Sequence, residues 1–147
     1  MLNADKRAII ASVQKHENEL IELSDKIWGY AEIAMREKQS SKALADYAET
    51  QGLKVTRGVA KIPTAFIAEY GSGRPIIGIL GEFDALPGLS QKAQPTKEPL
   101  QAGKPGHGCG HNMFGTGSLG AAVAIKELIV SKPAFNYDTI IFIFHKG

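Results

Sequence analysis

Ile76-Ile77-Gly78-Ile79-Leu80-Gly81 is an uninterrupted apolar run that stops abruptly at Glu82-Phe83-Asp84-Ala85-Leu86-Pro87-Gly88. A short run without polar alternation predicts a strand covered on both faces, the kind found inside an α/β sheet. Pro87 and Gly88 end it. Open α/β sheets gather their chemistry at the carboxyl ends of such strands, which makes the two carboxylates candidates. Asp84 has two readings at this stage: it holds a histidine ligand in one tautomer, or it is a turn residue bonded to its own backbone. Glu82 is either part of the same chemistry or a solvated strand end.

Downstream, Gly106-His107-Gly108-Cys109-Gly110-His111-Asn112 places the only cysteine two residues before a histidine in a glycine-rich loop. Cys109 and His111 can converge on one ion only if the backbone between them turns tightly, and Gly108 and Gly110 permit the required angles. Thiolate and imidazole together suit zinc and its borderline neighbours. A pair is still short of the three or four protein ligands of ordinary zinc sites, so the alternative of an unreactive cysteine beside a loop histidine stays open.

Apolar periodicity predicts a long first helix over about residues 4–29, lying on the sheet through Ile9, Val13, Leu20, Leu23 and Ile27, with Trp28 packed in the same stripe. A second helix over about 38–51 buries Leu44, Tyr47 and Ala48, with Gly52 as its left-handed stop. Strands are expected near 53–58, 64–70 and 75–82, the first two joined through Gly58 to Pro63. The aperiodic segment from Ser90 to Pro105 is either a loop over an active site or a disordered insertion. A helix over about 114–131, apolar nearly all round, should be buried and end at Pro133; a final strand, 139–144, reads as central. The order predicts one domain, a mixed α/β sandwich.

A chain of 147 residues can bury a sizeable core, and a formal net charge of +2 with scattered lysines argues against nucleic acid as a partner. One cysteine makes no internal disulfide, and the amino terminus is charged and amphipathic without an apolar signal core; both point to the cytoplasm. No apolar run approaches the ~18–20 residues that span a bilayer, so no membrane partner is expected.

Gly115-Thr116-Gly117-Ser118-Leu119-Gly120 fits the Gly-x-Gly-x-x-Gly pattern of dinucleotide-binding turns. No strand precedes it, and the strand that follows ends in Phe144-His145 with no carboxylate for a ribose. Small residues that let a helix approach the sheet closely account for it better.

Glu82 to Gln91, taken with Gly106 to Asn112, resembles the two signature segments of the metal-dependent amidohydrolases related to aminoacylases, carboxypeptidases and auxin-conjugate hydrolases. Lys61-Ile62-Pro63-Thr64-Ala65-Phe66-Ile67-Ala68 and the end of the Trp28 helix resemble the family's aminobenzoyl-glutamate utilization branch. The resemblance implies the amino-terminal part of a catalytic domain with the mixed-sheet sandwich of the zinc exopeptidases, which is phosphorylase/hydrolase-like. It implies two divalent ions, Zn or Mn, with Cys109 and His111 as metal ligands and Asp84 behind them, acting on the amide of a small N-acyl amino acid or aminobenzoyl-glutamate-like substrate. His107 matches no ligand position and is expected to pack or hydrogen-bond within the loop.

The family's paired glutamates, its later histidines and its inserted dimerisation domain have no counterpart in residues 1–147, where the last strand is followed by His145-Lys146-Gly147. The expectation is therefore a truncated single domain, inactive alone, in which His145 is a frayed end rather than a substitute base. Its last strand would be an unpaired apolar edge prone to pair with a second copy.

Overall fold

The computed structural model describes residues 3–72 and 74–132, together with the strand at 139–144. Four helices, α1 (Ala4–Lys15), α2 (Glu17–Tyr30), α3 (Lys38–Thr50) and α4 (His111–Ser131), accompany four strands, β1 (Lys54–Arg57), β2 (Phe66–Gly71), β3 (Ile76–Gly81) and β4 (Thr139–Phe144). The strands form one mixed sheet in the order β1-β2-β4-β3. β1 and β4 flank β2 antiparallel, while β3 runs parallel to β4. A parallel neighbour requires a crossover, and α4 supplies it between β3 and β4.

α3 and α4 lie against the sheet, and α1 and α2 pack on α4 and α3. Phe66 and Ala68 of β2 meet Leu44, Ala48, Leu119, Val123 and Ile27 in one buried core, closed below the carboxyl end of β3 by Phe83. Alternation along β2 sets this: Phe66 and Ala68 point to the helices and Ile67 to the other face. Among the described residues that other face is open, with Ile76 and Leu80 53% and 52% exposed. The strand expected to be covered on both faces is therefore an edge strand covered on one, because an apolar run reports compatibility with burial and not which layers are present.

The expected long first helix breaks at His16, whose backbone (φ −97°, ψ 3°) ends α1 and starts α2. His16 Nε2 lies 3.0 Å from Glu127 of α4, and Ser12 Oγ donates to the same carboxylate at 2.7 Å. The break lets two shorter helices each follow α4, and neither lies on the sheet as the continuous helix was expected to. α3 begins and ends as the sequence indicates, with Gly52 at φ +76° just beyond it. Its first turn is capped from outside: the Glu32 carboxylate accepts from the backbone N–H of Gln39 and of Ser40.

α4 starts three residues before its expected onset, directly at His111, which makes it 21 residues long. By length and composition it is then sufficient to cross a membrane, contrary to the sequence estimate. Its buried Leu119, Ala122, Val123, Ala124 and Leu128, enclosed by sheet and helices, are those of a core helix. Pro133 and His145 fall outside the described residues. β4 is hydrogen-bonded on both sides, so the expected unpaired edge is not there; β1 and β3 are the edges. The segment between Ser90 and Pro105 is an ordered loop, tied internally by Ser90 N–H to Lys104 O, Lys92 N–H to Glu98 O, and Glu98 N–H to Gln91 Oε1.

Candidate metal centre

β3 ends one residue before Glu82, and the extended backbone beyond it keeps the two-residue alternation of a strand. Phe83 therefore turns inward, 1% exposed and stacked on Phe66 with ring centroids 6.4 Å apart, while Glu82 and Asp84 emerge together on the opposite side. Ala85 N–H donates to Glu32 O at 2.7 Å, and Leu86 pairs with Gly106 through two backbone hydrogen bonds. That pairing brings the glycine-rich loop back beside the carboxylates. It also explains Gly106, where an added Cβ would sit 2.1 Å from the carbonyl oxygen of Leu89.

Gly110, at φ +79°, turns the chain into α4 and makes His111 the first residue of the helix. Asn112 holds that start to α2, its Nδ2 donating to Ser24 Oγ at 3.0 Å. His111 lies between the two carboxylates, with Nδ1 2.7 Å from Asp84 Oδ1 and Nε2 3.0 Å from Glu82 Oε2. The Asp84 side chain is 1% exposed, His111 13% and Glu82 27%.

The proton arrangement decides what this geometry can do. In the neutral imidazole Asp84, the buried and closer carboxylate, accepts the Nδ1 hydrogen, which leaves Nε2 with a lone pair facing Glu82. A lone pair and a carboxylate oxygen at hydrogen-bonding distance repel unless a proton or a cation lies between them. A carboxylate–histidine pair presenting a bare Nε2 beside a second carboxylate is a donor set suited to a divalent metal. Glu82, Asp84 and His111 offer ligand atoms all within 4.8 Å of one another.

The structure brings His111 and Asp84 within hydrogen-bonding distance of each other. Cys109 is exposed and stands outside the close group. Glu82, read from sequence as strand end or chemistry, belongs to the group; the signal was the Glu-x-Asp spacing at a strand end, which aims both carboxylates the same way. His107 bonds outside its own loop, its Nε2 donating to the Ile27 carbonyl of α2 at 3.1 Å. Burial pushes the His107 imidazole below its ordinary pKa, and the Ile27 carbonyl opposes this. Its buried Nδ1 has no hydrogen-bond partner.

The glycines from Gly115 to Gly120 lie inside α4, not in a phosphate-cradling turn before it, which removes the dinucleotide reading. An added Cβ at Gly120 would meet Leu20 Cδ1 at 2.7 Å, so this glycine admits α2 rather than the sheet.

No protein-family model matches the chain. One component of the p-aminobenzoyl-glutamate hydrolase of Escherichia coli (strain K12) is 44% identical to it over 124 residues, 82% of this chain and 25% of that protein. The chain spans about a quarter of the length of that relative. Among solved structures, an aminohydrolase so described from methicillin resistant Staphylococcus aureus superposes with a TM-score of 0.75 at 20% identity, over 96% of this chain and 35% of the other. The Bacillus subtilis YXEP protein, a dinuclear metal binding peptidase from the M20 family, does so with a TM-score of 0.67 at 24% identity, over 89% and 35%. These two likenesses show a shared mixed α/β fold.

Proposed function

From its membership in the family of metal-dependent amidohydrolases and peptidases, we propose that the chain forms the metal-binding corner of an enzyme that hydrolyses the amide bond of an N-acyl amino acid. The observation that carries this is His111 held by Asp84 with its free nitrogen turned to Glu82. An aminobenzoyl-glutamate-like substrate is the finer reading, supported by the name of the Escherichia coli relative.

Glu82 and His111 would hold a divalent ion, Zn or Mn, with Asp84 orienting the imidazole. Cys109, two residues away on a glycine-flanked turn, would complete a two-ion site with ligands from the rest of the domain. When bound, a divalent ion acidifies a coordinated water and polarises the substrate carbonyl. The chain's own residues do the rest of what is assigned here. Asp84 keeps the Nδ1 proton in place, and the first turn of α4 adds its positive end to the carboxylate pair. Asp84 is committed to His111 and Glu82 would bind the ion, so a separate base must take the water proton, and the chain alone should show no turnover. In the complete enzyme a further layer would cover the open face of the sheet, giving the sandwich of the zinc exopeptidases.

A chimera tests this. Residues of the Escherichia coli hydrolase matched by this chain are replaced with it, and glutamate release from aminobenzoyl-glutamate is followed with Mn, Zn or Co. Metal-dependent turnover that disappears in His111→Ala is expected; a folded, metal-loaded chimera without turnover would contradict the proposal.

A further inference from the structure

α1 and α2 carry an exposed stripe at helical spacing, Lys6, Ile10 and Val13 on α1 followed by Glu17, Ile21 and Asp25 on α2. The break at His16 does not divert it, because Val13, Glu17, Ile21 and Asp25 line one groove of about 360 Å³ together with Met113 and Gly117 of α4. Ile10, Val13 and Ile21 are 43%, 39% and 52% exposed, and Met113 is 65% exposed. The buried core uses none of them.

The stripe complements itself. Read against itself in the opposite direction, about a centre between Lys15 and His16, it sets Lys6 opposite Asp25 and Ile10 opposite Ile21. Val13 falls opposite Asn18, and Gln14 opposite Glu17, so no like charges meet along it. A second copy related by a two-fold axis presents the same surface in this reversed sense, and each contact then occurs twice. Gly117 is an independent sign of a neighbour. It lies on the exposed side of α4, where glycine weakens a helix relative to alanine, and no described atom it could pack against stands within 4 Å of the place its Cβ would take. The room it leaves opens on the groove.

We propose that α1 and α2 form the interface of a symmetric homodimer, in which this stripe lies antiparallel against that of a second copy. Ile10 of one copy enters the groove beside Ile21 and Gly117 of the other, and Lys6 closes on Asp25 at each end. Glu17 and Asp25 line the groove and no lysine or arginine does, which suits it to the basic amino-terminal part of α1. Exposed ion pairs contribute little affinity, so the isoleucines hold the copies together and the charges set their direction. None of Glu82, Asp84 or His111 takes part, and the dimer stands apart from the hydrolase reading.

Sedimentation equilibrium on the unmodified chain, on Lys6→Glu, on Asp25→Lys and on an equimolar mixture of the two variants tests this. A dimer in the micromolar range is expected for the unmodified chain, with the Kd raised about tenfold in either variant alone, because like charges then meet at both ends. The mixture is expected to dimerise as tightly as the unmodified chain, since opposite charges meet again in the mixed pair. Gly117→Leu favours the helix but fills the groove, and should weaken the dimer by a similar factor; Leu80→Lys, on the open face of the sheet, should leave it intact. Circular dichroism checks that each variant folds. A chain monomeric throughout the micromolar range, a Kd unmoved by the charge changes or by Gly117→Leu, or a mixture no tighter than its components would overturn the two-fold contact. A dimer abolished by Leu80→Lys would overturn it in favour of the sheet face.

Discussion

At the scale of single residues, the site depends on which atom of His111 carries the proton. Asp84 fixes it, and outer-shell carboxylates of this kind alter metal affinity by roughly 10–100-fold when changed. Asp84→Asn should therefore weaken Co(II) binding by that order while leaving its absorption bands in place, as read by competition with a chromophoric chelator. Cys109→Ser addresses a different question: loss of a thiolate-to-Co(II) charge-transfer band would place the sulfur on the metal, and an unchanged spectrum would leave it off. Gly106→Ala puts a Cβ against a backbone carbonyl that cannot swing aside. Unfolding in urea should reveal a loss of about 1–3 kcal/mol. His111 and Asp84 were legible in the sequence, because they sit in short segments rich in turn residues, whereas Cys109, singled out with them, stands outside the close group. Glu82 was harder to assign, since a carboxylate at a strand end looks the same whether it meets water or a ligand. Only the inward turn of Phe83 shows that Glu82 and Asp84 share a side.

Elements are less transparent than residues when their limits are set by partners distant in sequence. The first helical stretch carries one apolar stripe, yet it divides at His16 because Ser12, Lys15 and His16 all meet Glu127 of α4. Nothing local to residues 4–29 announces that carboxylate. Partial burial pushes the Glu127 carboxyl up, but hydrogen bonds from Lys15, His16 and Ser12 outweigh this and hold it at about 2, below its ordinary 4.5. A depressed carboxyl stabilises the fold above its unfolded pKa and ceases to do so as pH falls through the folded one. Glu127→Gln should accordingly lower the melting temperature near neutral pH, with the deficit shrinking between pH 4.5 and 2 as the native carboxyl protonates. A deficit that stayed constant across that range would show that the contact between α1 and α4 does not depend on the charge.

For the whole molecule, pattern established the class of fold and pairing established its layout. A mixed α/β arrangement followed from the order of the segments, whereas the position of β4 inside the sheet required the register with both β2 and β3. What the sequence suggested of an exposed edge moves to β3, whose Ile76 and Leu80 lie on the open face. Apolar area of this kind invites self-association. Leu80→Lys should reduce light scattering at micromolar concentration, and scattering unchanged by it would put the contact elsewhere. Metal binding is separable from assembly and substrate: Glu82, Asp84 and His111, at the end of β3 and the start of α4, are a cluster that could hold a divalent cation. Zinc titration against a competing chelator, at neutral pH on the unmodified chain, on Glu82→Gln and on His111→Ala, tests it most directly. Saturable, modest binding to the unmodified chain and loss of it in both variants are expected; equal binding by all three proteins would contradict a site at Glu82 and His111.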